Sequence, residues 1–97
     1  MRKLRKYVEE YYYWLKASSE DFETDIAEIM LWAVYRENIG KNVSFLSEED
    51  RLKVKEADKL AIKLANKKKN TETGLGFEQI VKVIKEYPIH EPAKATA

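Results

Sequence analysis

The chain has 97 residues, enough for one small domain and too few for two, because a chain of this size buries only about 60 to 70% of the surface it exposes when unfolded. Hydrophobic residues make up 44% and charged residues 36%, the balance of a soluble globular protein, and three Gly with two Pro leave little material for the turns of a sheet-rich fold. With no cysteine and one histidine, thiol nucleophiles, disulfides, thiolate zinc sites and any site needing two imidazoles are excluded.

The net charge of +1 conceals an asymmetry: residues 1–50 carry 7 basic and 11 acidic side chains, and residues 51–97 carry 11 and 6. Arg2, Lys3, Arg5 and Lys6 give a basic start, but Glu9 and Glu10 interrupt the apolar run that a secretory signal requires. No stretch approaches the roughly 20 apolar residues of a membrane span. The expected location is therefore cytoplasmic. Fourteen Lys and thirteen Glu against one Gln form a composition of the kind associated with thermophiles.

Helix one is expected over Leu4 to Leu15, where Leu4, Tyr7, Val8, Tyr11, Trp14 and Leu15 recur at helical spacing on one arc. Ser18 with Asp21 approximates a capping box, so helix two is expected over residues 20–38. Its inner stripe reads Phe22, Ile26, Ile29, Met30 and Ala33, with Asn38-Ile39-Gly40 as a left-handed stop. Lys41 to Leu46 has no helical period. Ser47 then caps a third helix that opens on three acids and runs to about Lys69, with Val54, Ala57, Leu60, Ala61, Leu64 and Ala65 inward. The alanines leave a shallow groove that another helix can approach closely. Residues 70–76, with two glycines, read as the clearest loop, and helix four is expected to start near Phe77. The β-branched run Ile80 to Ile84 suits a strand on propensity, yet helix is preferred because no second strand is available to pair with it. Pro88 ends that helix. The expected fold is thus an all-α single domain over residues 1–87, a small bundle or array of about four helices, with an extended or disordered C-terminal tail over 88–97.

Three features bear on function. Ile29 to Tyr35 is a run of seven apolar residues that covers the whole circumference of helix two, with Leu31, Tyr35 and Ile39 pointing away from the Ile26 and Ala33 face. Either the chain's own helices surround helix two, or that second face is a subunit interface. Lys55, Lys59, Lys63 and Lys67 form one ridge on helix three, which reads either as a solvated helix face or as a sequence-tolerant contact for nucleic-acid phosphates. Tyr11, Tyr12, Tyr13 and Trp14 stand near the N-terminal cations, but the inner arc claims Tyr11 and Trp14 and leaves Tyr13 alone on the charged face, as a candidate subunit contact.

Other sites are weak by their composition. Asp21, Asp25 and Glu28 share one side of helix two, where acids are expected for dipole reasons without any metal. His90 has no second imidazole, serine or cysteine pattern around it. Gly74 and Gly76 lack the third glycine, the preceding strand and the Gly-Lys-Ser/Thr of a phosphate loop. A helix-turn-helix formed by helices three and four would need a shorter link than the seven residues expected here. An amphipathic membrane-surface helix over residues 2–16 conflicts with Glu9 and Glu10. The expected function is that of a non-catalytic interaction module, with no cofactor, metal, membrane or small-molecule substrate. Its expected partner is a second copy or another protein at Tyr13, Leu31, Tyr35 and Ile39, and the alternative is nucleic acid along the lysine ridge.

Overall fold

The computed structural model describes residues 2–20 and 24–89. Within them the chain is all-α: α1 spans Arg2–Ser19, α2 Ile26–Lys41, α3 Glu48–Lys67 and α4 Glu72–Glu86, with a single 3-10 turn at Val43–Phe45 and no strand.

Three of the helices start on a side-chain cap. Asp25, Ser47 and Thr71 each hold extended backbone, and each accepts a hydrogen bond from the amide three residues on, at Glu28, Asp50 and Gly74 respectively. These bonds satisfy donors that have no partner inside the helix. Ser47 is the cap that its position before three acids predicts.

α1 packs on α2 and α3, and α4 packs on the same two, so the helices close a ring in the order α1, α2, α4, α3. Tyr7 stacks on Tyr35 with ring centroids 5.4 Å apart and Trp14 on Trp32 at 5.9 Å, which sets α1 antiparallel to α2. α1 and α3 run in the same direction, since Arg5 reaches Glu49 and Tyr11 reaches Asp58. The interior of the ring is filled by Val8, Tyr11 and Leu15 of α1, Ile29 and Trp32 of α2, Val54, Ala57 and Ala61 of α3, and Phe77 and Ile80 of α4. Full burial of one such large side chain contributes about 1.5 to 3 kcal/mol.

Several boundaries differ from the sequence expectation. α2 does not start at Ser18. The hydroxyl of Ser19 donates to the Lys16 carbonyl at 2.7 Å, a back-bond that extends α1, and Asp25 is the cap. Phe22 and Asp21 lie outside the described residues. Nor does α2 stop at Asn38-Ile39-Gly40, for it runs to Lys41 without a left-handed residue. Gly40 serves close approach instead, because a Cβ there would collide with Cβ of Tyr87. The positive φ found among the described residues is at Asn70, in the turn between α3 and α4.

α4 starts five residues before Phe77 and takes both glycines into its first turns. A Cβ on Gly74 would strike the Lys68 carbonyl, and one on Gly76 would lie 2.8 Å from Cγ2 of Ile29. Glycine here lets α4 close against α2 and against the end of α3, and the link between α3 and α4 shrinks to residues 68–71. Ile80 to Ile84 is helical. Of the segment read as a tail, Ile89 is buried in the core cluster, and residues 90–97, including His90, lie outside the described residues.

Candidate functional site

α2 is the helix whose surroundings decide the reading of the molecule. Ile29, Trp32, Ala33, Arg36, Ile39 and Gly40 are its buried residues, a stripe of three- and four-residue steps facing α1 and α4. Ile39, expected on an outward interface face, is therefore interior. Met30, expected inward, is instead exposed. The inner stripe is rotated from the expected one because it runs through Arg36, a charged residue that local polarity alone would place outside.

Arg36 is fully buried, and its guanidinium grips Asp58 of α3 with two parallel bonds, Nε to Oδ1 at 2.9 Å and Nη2 to Oδ2 at 3.0 Å. This bidentate fork is the strong form of a charge-assisted pair. Nη2 also donates to the Tyr87 carbonyl at 2.8 Å, at the end of α4, and Tyr11 of α1 donates its phenol to Asp58 Oδ1 at 2.6 Å. One charge pair thus ties all four helices together across the centre of the ring. Nη1 finds no acceptor among the described residues, a cost the surrounding contacts must offset. Burial pushes the Tyr11 phenol well above its ordinary pKa, with the Asp58 carboxylate acting in the same direction. The cluster has the chemistry of a structural pin. No local signal in the sequence marked it, because the partner that makes Arg36 an interior residue lies 22 residues further on.

The outward face of α2 is apolar. Met30, Leu31 and Val34 are 41, 47 and 49% exposed and lie on adjoining turns. Of the four side chains expected to form an interface, Leu31 falls in this patch, while Tyr35 is half-buried against the Tyr7 ring. Tyr13 is exposed on α1, edge-on to Trp14 at 4.9 Å. Met30, expected inward, and Val34 were not among the expected interface residues, although both belong to the seven-residue apolar run. Beside them an open surface groove of about 310 Å³ runs between α2 and α4, with Glu37, Lys82 and Glu86 among its walls.

On α3, Lys55 is half-buried, and Lys59, Lys63 and Lys67 are exposed along one side of the helix. Lys59 and Lys63 have no ion-pair partner among the described residues. Glu56, next to the ridge, pairs with Lys16 of α1 at 3.8 Å. That contact and a hydrogen bond from the Lys16 amine to the Tyr12 hydroxyl at 3.2 Å raise the Lys16 pKa, the hydrogen bond being the larger cause.

Asp25 spends its carboxylate on the Glu28 amide, and Glu28 accepts from the Thr24 hydroxyl, so the acids at the start of α2 are engaged locally. Among the described residues no group of three acidic or imidazole side chains is placed to hold a metal ion. No described helix is long and apolar enough to cross a membrane. No family model matches this sequence, and no curated protein or solved structure is significantly similar to it.

Proposed function

We propose that this chain is an interaction module that works by binding and self-associates through the outward face of α2. The observation that carries this reading is the contiguous exposure of Met30, Leu31 and Val34 on a helix that α1 and α4 already flank. Single exposed apolar residues are ordinary on a protein surface, whereas three side by side on one helix face form the apolar centre that an interface needs. Ile39 is interior and Tyr35 is half-buried against the Tyr7 ring, so the associating surface is shifted towards Met30 and Val34.

Sedimentation of the wild-type chain and of Leu31→Glu across a concentration series tests this. The expected result is a wild-type species heavier than the 11.4 kDa chain and a variant of monomer mass with unchanged helical circular dichroism. A Leu31→Glu chain that sediments like the wild type would overturn the reading.

A second reading rests on Lys59 and Lys63, exposed cations with no acidic partner among the described residues. They are suited to phosphate contacts by counterion release, without base recognition. Fluorescence anisotropy with labelled single- and double-stranded oligonucleotides at two salt concentrations tests it. Binding that falls steeply with salt and is lost in Lys59→Glu/Lys63→Glu is the outcome that supports it, and no binding at low salt eliminates it.

A further inference from the structure

The exposed face of α2 is acidic as well as apolar. Asp25 at its cap and Glu28 and Glu37 along it outnumber Lys41, which pairs with Glu37 at 3.9 Å, so the helix and its cap keep a net negative charge outside the buried Arg36. A second copy of this face brought against it would set one net negative surface on another. The natural receiver for an acidic, apolar ridge is a cleft with an apolar floor and cationic walls.

The molecule carries such a cleft across α4 from this face, with Lys82 of α4 lining both grooves. Between α3 and α4 lies an open groove of about 330 Å³. Ile62, Ala65 and Val81 lie along it, with Ile62 42% exposed, and Lys69, Lys82 and Lys85 line it against one acid, Glu78. Among the described residues none of these three lysines has an ion-pair partner. The same polarity runs through the whole chain, whose first 50 residues carry an excess of acids and the remainder an excess of bases.

We propose that the α2 ridge of one copy docks in the α3–α4 groove of the next, head to tail. Met30, Leu31 and Val34 would cover Ile62 and Val81, and Glu28 and Glu37 would face Lys69 and Lys85. This rests on the reading of α2 as the self-associating surface and adds the surface that receives it. The contact is heterologous, so repetition closes a ring or extends a filament, whereas a two-fold pairing of α2 stops at a dimer. Nucleic acid is the weaker occupant, because the groove has no arginine to fork onto phosphate and no aromatic ring on which a base can stack.

Complementation of two full-length variants tests the proposal. Leu31→Glu breaks the ridge and leaves the groove intact, while Lys69→Glu/Lys85→Glu breaks the groove and leaves the ridge intact. All three positions are exposed, and circular dichroism checks that both chains fold; Val34→Glu replaces Leu31→Glu if the latter does not. The expected result by light scattering is that each variant alone associates about tenfold or more weakly than the wild type. A 1:1 mixture then forms a two-chain complex that grows no further, since its outer surfaces are the two broken ones. Added salt should weaken the wild-type assembly.

If the groove variant associates as well as the wild type while Leu31→Glu is monomeric, the groove is not the receiver and α2 alone remains the interface. If Leu31→Glu also associates normally, or the wild type is monomeric throughout, the reading of α2 fails and the docking fails with it. A labelled oligonucleotide that binds the wild type, loses binding to the groove variant and leaves the wild type monomeric assigns the groove to nucleic acid.

Discussion

The phenol of Tyr11 and the carboxylate of Asp58, 47 residues apart, meet at 2.6 Å inside the ring of helices, and the same carboxylate holds Arg36 at 2.9 Å. A buried arginine is tolerated only while its counter-charge and its hydrogen bonds are in place, because an isolated charge in the interior keeps the full cost of leaving water.

Asp58→Ala should therefore destabilise the fold by about 3 to 5 kcal/mol, as measured by urea unfolding, since it strands Arg36. Replacing both partners, as Arg36→Met with Asp58→Leu, should restore much of that loss, and the two single changes should not add. A double variant as unstable as the sum of the singles would show that the pair is not acting as a unit.

Tyr11→Phe removes a hydrogen bond to a charged group and should cost about 1.5 to 3 kcal/mol near neutral pH. It should also change the alkaline limb of stability. The folded phenol is held neutral well above its ordinary value, whereas the unfolded phenol ionises near about pH 10. Above that pH the unfolded state binds fewer protons than the folded one, so stability falls as pH rises towards the folded pKa. Unfolding free energies measured on both sides of that pH should fall more steeply for wild type than for Tyr11→Phe. Equal slopes would remove Tyr11 as the linked group.

Alanine is the better helix former by about 1 kcal/mol, yet Gly40→Ala and Gly76→Ala should both lower the melting temperature. In the first, the new methyl meets Tyr87 and crowds Nη1 of Arg36; in the second, it meets Ile29. Leu75→Ala, on the exposed side of α4, is the control and should change stability by no more than about 0.5 kcal/mol. A stabilised Gly76→Ala would mean that α2 and α4 can separate to make room.

Thr71 and Ser47 each cap a helix through one side-chain oxygen, so Thr71→Ala and Ser47→Ala should each cost about 0.5 to 2 kcal/mol in chemical denaturation. Thr71 also donates its hydroxyl to the Lys68 carbonyl at 2.6 Å, which places its loss at the upper end of that range. If Thr71→Ala is neutral, the start of α4 is set by packing of the glycines and not by the cap.

The helical class, the Ser47 cap and the inward arcs of α1 and α3 were legible in the sequence, because capping and helical period act within a turn or two of the chain. Of the arc read for α1, Leu4, Val8, Tyr11 and Leu15 are buried and Tyr7 and Trp14 half-buried, with Tyr13 out on the surface. The seven-residue apolar run of α2 likewise announced a helix with more apolar surface than one stripe requires. What that run could not announce was its rotation. Arg36 is inward only because Asp58, 22 residues further on, arrives to neutralise it, and with Arg36 inward Ile39 turns in and Met30 turns out. Gly74 and Gly76 repeat the lesson. A glycine reads locally as flexibility, whereas here its missing Cβ is the space that Lys68 and Ile29 occupy. Length, composition and period by themselves determined that this chain is helical and carries no thiol. Tertiary packing decided which face of α2 meets the solvent, because the environment of a side chain is set by partners that only the closed ring brings within reach.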